Sequence, residues 1–216
     1  MEPSPVDLLV QLGAEPGGAQ SVAAELEARH REPHRRYHTL THVGETLAEA
    51  NRLLDLEPGA DPVAVALALW FHDAVHDPTD DPGRSERASA DLVVDRLPAL
   101  ERADRDRLAA EAGRLVLLTA GHLVEAGDPS GSVVVDADLW ILSAPPGRYD
   151  RYVADVRAEY PHVAEESWRT GRGAVVGRFL DTVAQLYTAG PADDRGARRD
   201  RARTNLSREL ADLART

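Results

Sequence analysis

Apolar positions along the chain recur with helical spacing. Residues Leu40, Val43, Leu47, Ala50 and Leu54 follow one another at intervals of three or four, which places their side chains on one face of a helix. Similar stripes cover residues 22–32, 85–97, 108–119, 149–160, 168–186 and 206–213. The alternation with a period of two that is typical of half-buried strands is hard to find. The pattern therefore predicts an all-α protein.

One segment is apolar on every side. Residues 63–71 show no polar face, which marks a helix that is buried all round. We expect a helix over 63–75 at the centre of the fold, with His72 and Asp73 at its C-terminal end. If this helix reaches His76, then His72 and His76 share one of its faces. If the helix over 40–54 already includes His38, then His38 and His42 likewise share a face.

The remaining boundaries follow from turn and cap residues. Gly121 suits the C′ position of the helix over 108–119, because glycine tolerates the left-handed conformation found there. The apolar run 133–135 fits the lead-in to a buried helix, and residues 136–138 are expected to open the next one, where Asp136 can be the N-cap. Turn-rich stretches at 78–84 and 127–131 are too short to separate domains. We predict one helical domain over 1–216, with a core at about 30–190 and a C-terminal helix at about 195–214.

The charge of the chain makes some classes of binding partner unfavourable. The formal net charge is −12, which disfavours duplex nucleic acid and anionic membranes. All 25 basic residues are arginine, and those within 195–208 are interleaved with acids, so we interpret that stretch as a solvated, salt-bridged helix face. The N-terminus lacks the features of a signal peptide, and the longest apolar run, 62–71, is half of the ~20 residues that a membrane span needs. The sequence predicts a soluble, cytoplasmic protein.

Histidine and aspartate carry the candidate chemistry, since cysteine is absent. His72 and Asp73 are an adjacent imidazole and carboxylate at the end of the buried helix, His42 precedes them by thirty residues, and Asp138 follows Asp73 by sixty-five. Two imidazoles with two carboxylates form a mixed set that suits one divalent ion, Mn, Fe, Co, Ni, Zn or, less well, Mg. Such an ion polarises a phosphoryl oxygen and acidifies bound water.

Three blocks give this order of ligands a local context. Residues 35–42 read R-R-Y-H-T-L-T-H, residues 70–78 read W-F-H-D-A-V-H-D-P, and residues 136–142 read D-A-D-L-W-I-L. They resemble the R-x-Y-H-x-L-x-H, WFHDAVYDP and DADLAIL blocks of a bacterial subfamily of the HD superfamily of metal-dependent phosphohydrolases. The resemblance spans about 30–210 and places the last ligand at Asp138. Three departures affect the surroundings of the site: residues 85–90 read S-E-R-A-S-A instead of NEERSA, His76 replaces a tyrosine, and no lysine is present.

The resemblance implies an HD-type helical bundle that hydrolyses a nucleotide or a small organic phosphate ester. Two alternatives stay open. One is an HD-fold di-iron oxygenase, which would need further ligands from His38 and His122. The other is a non-catalytic module that binds metal and nucleotide, which the altered 85–90 block leaves open.

Four further residues are candidates for catalysis. Glu86 is either a general base that orients water or a solvated residue at a helix start. Arg35 is a candidate phosphate clamp, and His38 either contacts phosphate or braces the start of its helix. His122 either interacts favourably with a helix C-terminus or contacts substrate or a second metal. The apolar stripes at 149–160 and 168–186 are interpreted as packing in the core or in a homodimer.

Overall fold

The computed structural model describes residues 4–97 and 105–215, and every regular element within these ranges is a helix. The prediction of an all-α protein is confirmed. Two short 3-10 helices, Leu139–Ser143 and Val183–Gln185, accompany the α-helices. The α-helices are, in chain order, α1 Pro5–Gln11, α2 Pro16–Arg29, α3 Leu40–Leu54, α4 Pro62–Phe71, α5 Arg84–Arg96, α6 Arg105–Leu118, α7 Pro129–Asp138, α8 Pro146–Glu159, α9 Glu165–Thr182 and α10 Ala192–Leu213.

Caps define the two helices that carry the central motifs. The hydroxyl of Thr39 accepts a hydrogen bond from the N–H of Thr41, and α3 then covers the predicted stripe. Asp61 caps α4 through its Oδ1, which accepts from the backbone N–H groups of Val63 and Ala64. These caps pair N–H groups that a helix cannot satisfy internally.

Helix α4 is the centre of the first of two packing clusters. Seven of its residues from Ala64 to Phe71 are buried, and it packs against α3, α5, α6 and α7. The expected central position is confirmed, but the helix ends at Phe71 and not at residue 75. Ala74 donates its N–H to the carbonyl of Phe71, which turns the chain immediately after the helix. His72 and Asp73 therefore lie on a turn that leaves the middle of the core.

A second cluster forms around the C-terminal helices. Buried side chains from α8, α9 and α10 pack together there, including Tyr149, Tyr152 and Val176. Helix α7 contributes to both clusters, since Val134 packs in the first and Val135 in the second. The interpretation of the 149–160 stripe as core packing is confirmed. The assignment of residues 1–216 to a single domain stays a prediction.

Helix α10 departs from its predicted environment at one residue. Arg203 and Arg208 form the exposed ion pairs expected of a solvated face. Arg198, in contrast, is buried: its Nη2 lies 3.0 Å from Oε1 of Glu49, and its guanidinium stacks at 4.4 Å over the ring of Tyr187. The solvated-face interpretation is wrong for Arg198, because the same face of α10 carries Ala202 and Leu206 into the core. Across residues 4–97 and 105–215, no helix combines the length and apolar character needed to cross a membrane.

Candidate metal centre

Four side chains from three segments converge on one point between the two packing clusters. Nε2 of His42 lies 3.1 Å from Nε2 of His72, and each nitrogen lies 3.1–3.3 Å from Oδ2 of Asp73. Oδ1 of Asp138 lies 3.4 Å from Nε2 of His42 and 3.6 Å from Nε2 of His72. The four residues that the sequence suggested as ligands are thus brought together. We call them the HHDD cluster.

Neighbouring groups orient the ligand atoms. Nδ1 of His72 donates to the carbonyl of Leu69 at 2.9 Å, so the lone pair of the neutral ring is on Nε2, which faces the cluster. Asp138 uses its two oxygens separately: Oδ1 faces the histidines and Oδ2 lies 3.1 Å from Nε2 of His122. Hydrogen bonds of this kind to metal ligands fix their tautomer and orientation.

The electrostatics of the cluster fit a cation. Burial raises the pKa of Asp73 and of Asp138, but the neighbouring histidines outweigh burial and hold both pKa values well below the usual range. Burial lowers the pKa of His42 and of His72, but the two carboxylates outweigh it and raise both pKa values. The protein thus offers two partly buried negative charges that favour a positive partner, which is either a proton on an imidazole or a metal ion.

The spacing also suits an ion. With bonds of about 2.0–2.2 Å, adjacent ligands of an octahedral ion lie about 3 Å apart. The N–N and N–O separations in the HHDD cluster are 3.1–3.6 Å. His42, His72 and Asp73 are also one of two groups in the described chain whose ligand atoms all lie within 4.8 Å of one another. These three residues could hold a cation as they stand, whereas Asp138 lies outside that group and approaches the two histidines at 3.4–3.6 Å.

His122 reaches the cluster through an uncommon backbone conformation. Its φ is +55°, and its N–H bonds to the carbonyl of Leu118 at 2.8 Å. The left-handed residue after α6 is therefore His122, and the prediction that Gly121 occupies that position is wrong. Positive φ is uncommon outside glycine, although histidine tolerates it better than most residues. The conformation accompanies the contact with Asp138, which the helix-dipole interpretation of His122 did not include.

Arg35 is bonded to protein groups on several sides. Its side chain is fully buried and donates four hydrogen bonds, to the carboxylate of Glu32 and to the carbonyls of His38, Asp73 and Ala74. These bonds tie the loop before α3 to the turn after α4. They argue against a phosphate clamp, which stays a prediction.

His38 and His76 do not share helix faces with their predicted partners. Helix α3 begins at Leu40, after His38, and α4 ends at Phe71, before His76. The two residues meet each other instead, with ring centroids 4.1 Å apart. Nδ1 of His38 donates to Oε2 of Glu159 at 2.6 Å.

Glu159 is the residue that the sequence analysis missed. It is the last residue of α8, and its other oxygen, Oε1, accepts from the backbone N–H groups of Arg36, Tyr37 and His38 at 2.6–3.0 Å. Burial raises the pKa of Glu159, but the bond from His38 and the nearby His76 outweigh it and lower the pKa. The helical stripe of α8 marks its apolar face, and nothing in that stripe distinguishes Glu159 from a solvated acid at a helix end.

Asp136 is neither a ligand nor an N-cap. Residues 136–138 end α7, whose N-cap is Asp128, so the expectation that they open a helix is wrong. Oδ2 of Asp136 accepts from the N–H of Ala189 at 2.7 Å, and burial raises its pKa to about 6. The helical geometry places Asp138, two residues on, at the cluster.

Glu86 lies half-buried in the first turn of α5. Its charge contributes to the raised pKa of Tyr160, where burial is the largest cause. Among the described residues no hydrogen bond joins Glu86 to the HHDD cluster, so its role as a base stays a prediction.

Known proteins add no further information about this site. Neither a family model, nor a curated protein, nor a solved structure matches the chain. The resemblance to the HD superfamily therefore depends on the three sequence blocks, and the metal centre depends on the geometry of the HHDD cluster.

Proposed function

We propose that this protein is a metal-dependent phosphohydrolase that acts on a nucleotide or a small organic phosphate ester. The observation that carries the proposal is the convergence of His42, His72, Asp73 and Asp138 on one point. A divalent ion held there would supply a Lewis acid for a phosphoryl oxygen and would acidify a water molecule. Its identity within the Mn, Fe, Co, Ni, Zn and Mg group is part of the proposal to be tested.

The residues beside the cluster supply the remaining chemistry. His38 and His122 keep about a fifth of their side-chain surface exposed, at 21% and 19%, so a bound phosphate ester can reach both. Their ring nitrogens can hydrogen-bond to oxygens of the transferring phosphoryl group. Burial lowers the pKa of His38, which favours its neutral ring as a proton acceptor. His38 is also suited to carry a proton, since Glu159 anchors its Nδ1. Glu86 is the alternative proton acceptor.

The test is metal analysis followed by a screen for phosphate release. The full chain is purified without added metal, analysed for bound metals, and assayed with each divalent ion against nucleotides and phosphomonoesters. Asp73→Asn should lose both bound metal and phosphate release. Asp150→Asn is the matched control, because Asp150 is exposed and pairs with Arg208 on α10. Wild-type protein that is loaded with metal and releases no phosphate from any substrate would refute the proposal.

The same experiment separates the alternatives. An HD-fold di-iron oxygenase would contain iron, consume O2 and release no phosphate, and His122 beside Asp138 is the feature that favours it. A binding module would hold nucleotide tightly without turnover. A soluble enzyme without a nucleic-acid partner is the expectation from the net charge of −12.

A further inference from the structure

A second group of potential ligands lies beside the HHDD cluster and shares no residue with it. His38, His76 and Glu159 each offer one ligand atom, and these atoms all lie within 4.8 Å of one another. Oε2 of Glu159 lies 2.6 Å from Nδ1 of His38 and 3.5 Å from Nε2 of His76. We call this group the HHE cluster. The rings of His38 and His42 are 6.0 Å apart, so the two clusters are neighbours.

Glu159 is fixed before any ligand arrives. Its side chain has no exposed surface, and its Oε1 already accepts three backbone hydrogen bonds from residues 36–38. These bonds set the plane of the carboxylate and leave Oε2 directed at the two imidazoles. A carboxylate held in this way is a preorganised anionic ligand.

His76 has a buried ring nitrogen that the hydrogen bond between His38 and Glu159 leaves without a partner. Its Nε2 is buried and has no hydrogen-bond partner, although Oε2 of Glu159 is only 3.5 Å away. Buried polar atoms are nearly always paired, and an orphan nitrogen next to a carboxylate is a reason to consider an ion that bridges them. The backbone carbonyl of His76 accepts a bond from Nε2 of His34 at 2.8 Å, which helps to hold the residue in place.

We propose that His38, His76 and Glu159 form a second metal site, independent of the HHDD cluster, for a divalent cation of the zinc type. Two imidazoles with one glutamate form a three-ligand set that Zn²⁺ takes in proteins, with the fourth position left to water or another small ligand. Nδ1 of His38, Nε2 of His76 and Oε2 of Glu159 are the ligand atoms. The proton that His38 now shares with Glu159 is released when the cation binds, as metal binding to imidazole requires.

The geometry needs only a small change. With bonds of about 2.0–2.1 Å, two ligands of a tetrahedral ion lie about 3.3–3.4 Å apart. The separation of His76 and Glu159, 3.5 Å, is already close to this value, and the 2.6 Å contact between His38 and Glu159 must open by less than 1 Å. A surface cavity of about 590 Å³ includes His76 and Glu159 in its wall, so the HHE cluster lies close to the surface of the protein.

The test counts metal ions per chain and does not use catalysis. The full chain is stripped with a chelator, titrated with Co²⁺ and separately with Zn²⁺, and analysed for metal after gel filtration, while the visible absorption of Co²⁺ reports its ligand field. Wild type should bind two ions and His76→Phe one. Asp73→Asn should lose the other ion and keep the one in the HHE cluster. If His76→Phe does not fold, Glu159→Gln takes its place, because its amide oxygen can still accept the backbone N–H groups. Glu159→Gln should also lose the ion of the HHE cluster.

The control is His162→Asn. His162 is exposed in the wall of the same cavity and lies outside the HHE cluster, so this variant should bind as many ions as wild type. An equal number of ions in wild type and in His76→Phe would overturn the proposal. Loss of the ion in His162→Asn as well would also overturn it, since it would indicate binding to surface histidines. The count does not depend on phosphate release, so a failure of the phosphohydrolase proposal leaves this result unaffected.

Discussion

Replacing Arg35 with methionine tests whether it braces the fold or binds substrate. The side chain is fully buried, and its donors reach the carbonyls of His38, Asp73 and Ala74 as well as Glu32. Methionine fills a similar volume but leaves those three carbonyls and a carboxylate without their donor. A buried acceptor left without its donor costs about 1–3 kcal/mol, so the loss of these three carbonyl bonds should cost about 3–5 kcal/mol together. For a chain of this size, 1 kcal/mol corresponds to about 2–4 °C in Tm, so we expect Tm to fall by about 6–20 °C.

The assay is urea unfolding of the metal-free protein, followed by far-UV circular dichroism, together with a thermal melt. Arg36→Met is the matched control, because Arg36 is exposed and its side chain bonds only to the carbonyls of Pro33 and Arg35. That variant should stay within about 1 kcal/mol of wild type. If Arg35→Met unfolds like wild type and instead raises the KM for a phosphate ester, the brace interpretation is wrong and the phosphate clamp is supported.

Three further predictions address the metal, a buried histidine and a buried arginine. Adding divalent metal at one hundred times Kd to stripped wild type should raise Tm by the equivalent of about 2.7 kcal/mol for each occupied site, and Asp138→Asn should lose the contribution of the HHDD cluster. Burial, with the charge of Arg35, lowers the pKa of His30 from 6.5 to about 4, so its stabilising contribution is complete above pH 6.5 and declines as pH falls toward 4. Between pH 7 and 5 wild type should therefore lose about 2 kcal/mol more unfolding free energy in urea titrations than His30→Gln. Arg198→Met should lose about 1–3 kcal/mol in the same titrations, because the buried carbonyl of Asp136 loses its donor while Glu49 keeps Arg52 as a partner.

Each of these has a control that separates it from a general loss of stability. A metal-induced rise in Tm that is equal in wild type and Asp138→Asn would place the ion elsewhere. An unchanged difference between wild type and His30→Gln across pH 7 to 5 would mean that folding does not lower the pKa of His30. Arg203→Met removes an exposed pair with Asp200 and should cost less than about 1 kcal/mol; an equal effect for Arg198→Met would contradict its buried position.

Helices with a one-sided or all-round apolar pattern were predictable from the sequence. The stripe from Leu40 to Leu54 coincides with α3, and the apolar segment 63–71 is the buried α4. These two predictions succeed because buried positions in a helix recur every three or four residues, so the apolar pattern in the sequence matches the burial pattern in the fold. The order of the histidines and aspartates likewise allowed the HHDD cluster to be suggested, although its convergence depends on the packing of α3, α4 and α7.

Polar residues that point inward were not predictable. Arg198 belongs to a helix with many charged residues, and its burial follows from facing the same way as Ala202 and Leu206. Glu159 contacts residues more than 120 positions away in sequence, a contact that no local pattern encodes. His122 is a third case. Its backbone is left-handed, although the neighbouring Gly121 has the stronger intrinsic preference for that conformation.

The buried charges around the HHDD cluster act on the backbone next to the ligands. Arg35 binds the carbonyl of Asp73, Glu159 binds the N–H groups before α3, and Arg198 binds the carbonyl of Asp136, two residues before Asp138. Each segment that carries a candidate ligand is therefore held by a charged side chain from a distant part of the chain, which would preorganise the cluster for an ion. Two classes of substitution should then differ in kind. Changing a ligand should remove metal and leave the metal-free fold nearly as stable, whereas changing a supporting charge should lower the stability of the metal-free fold first and metal affinity as a consequence.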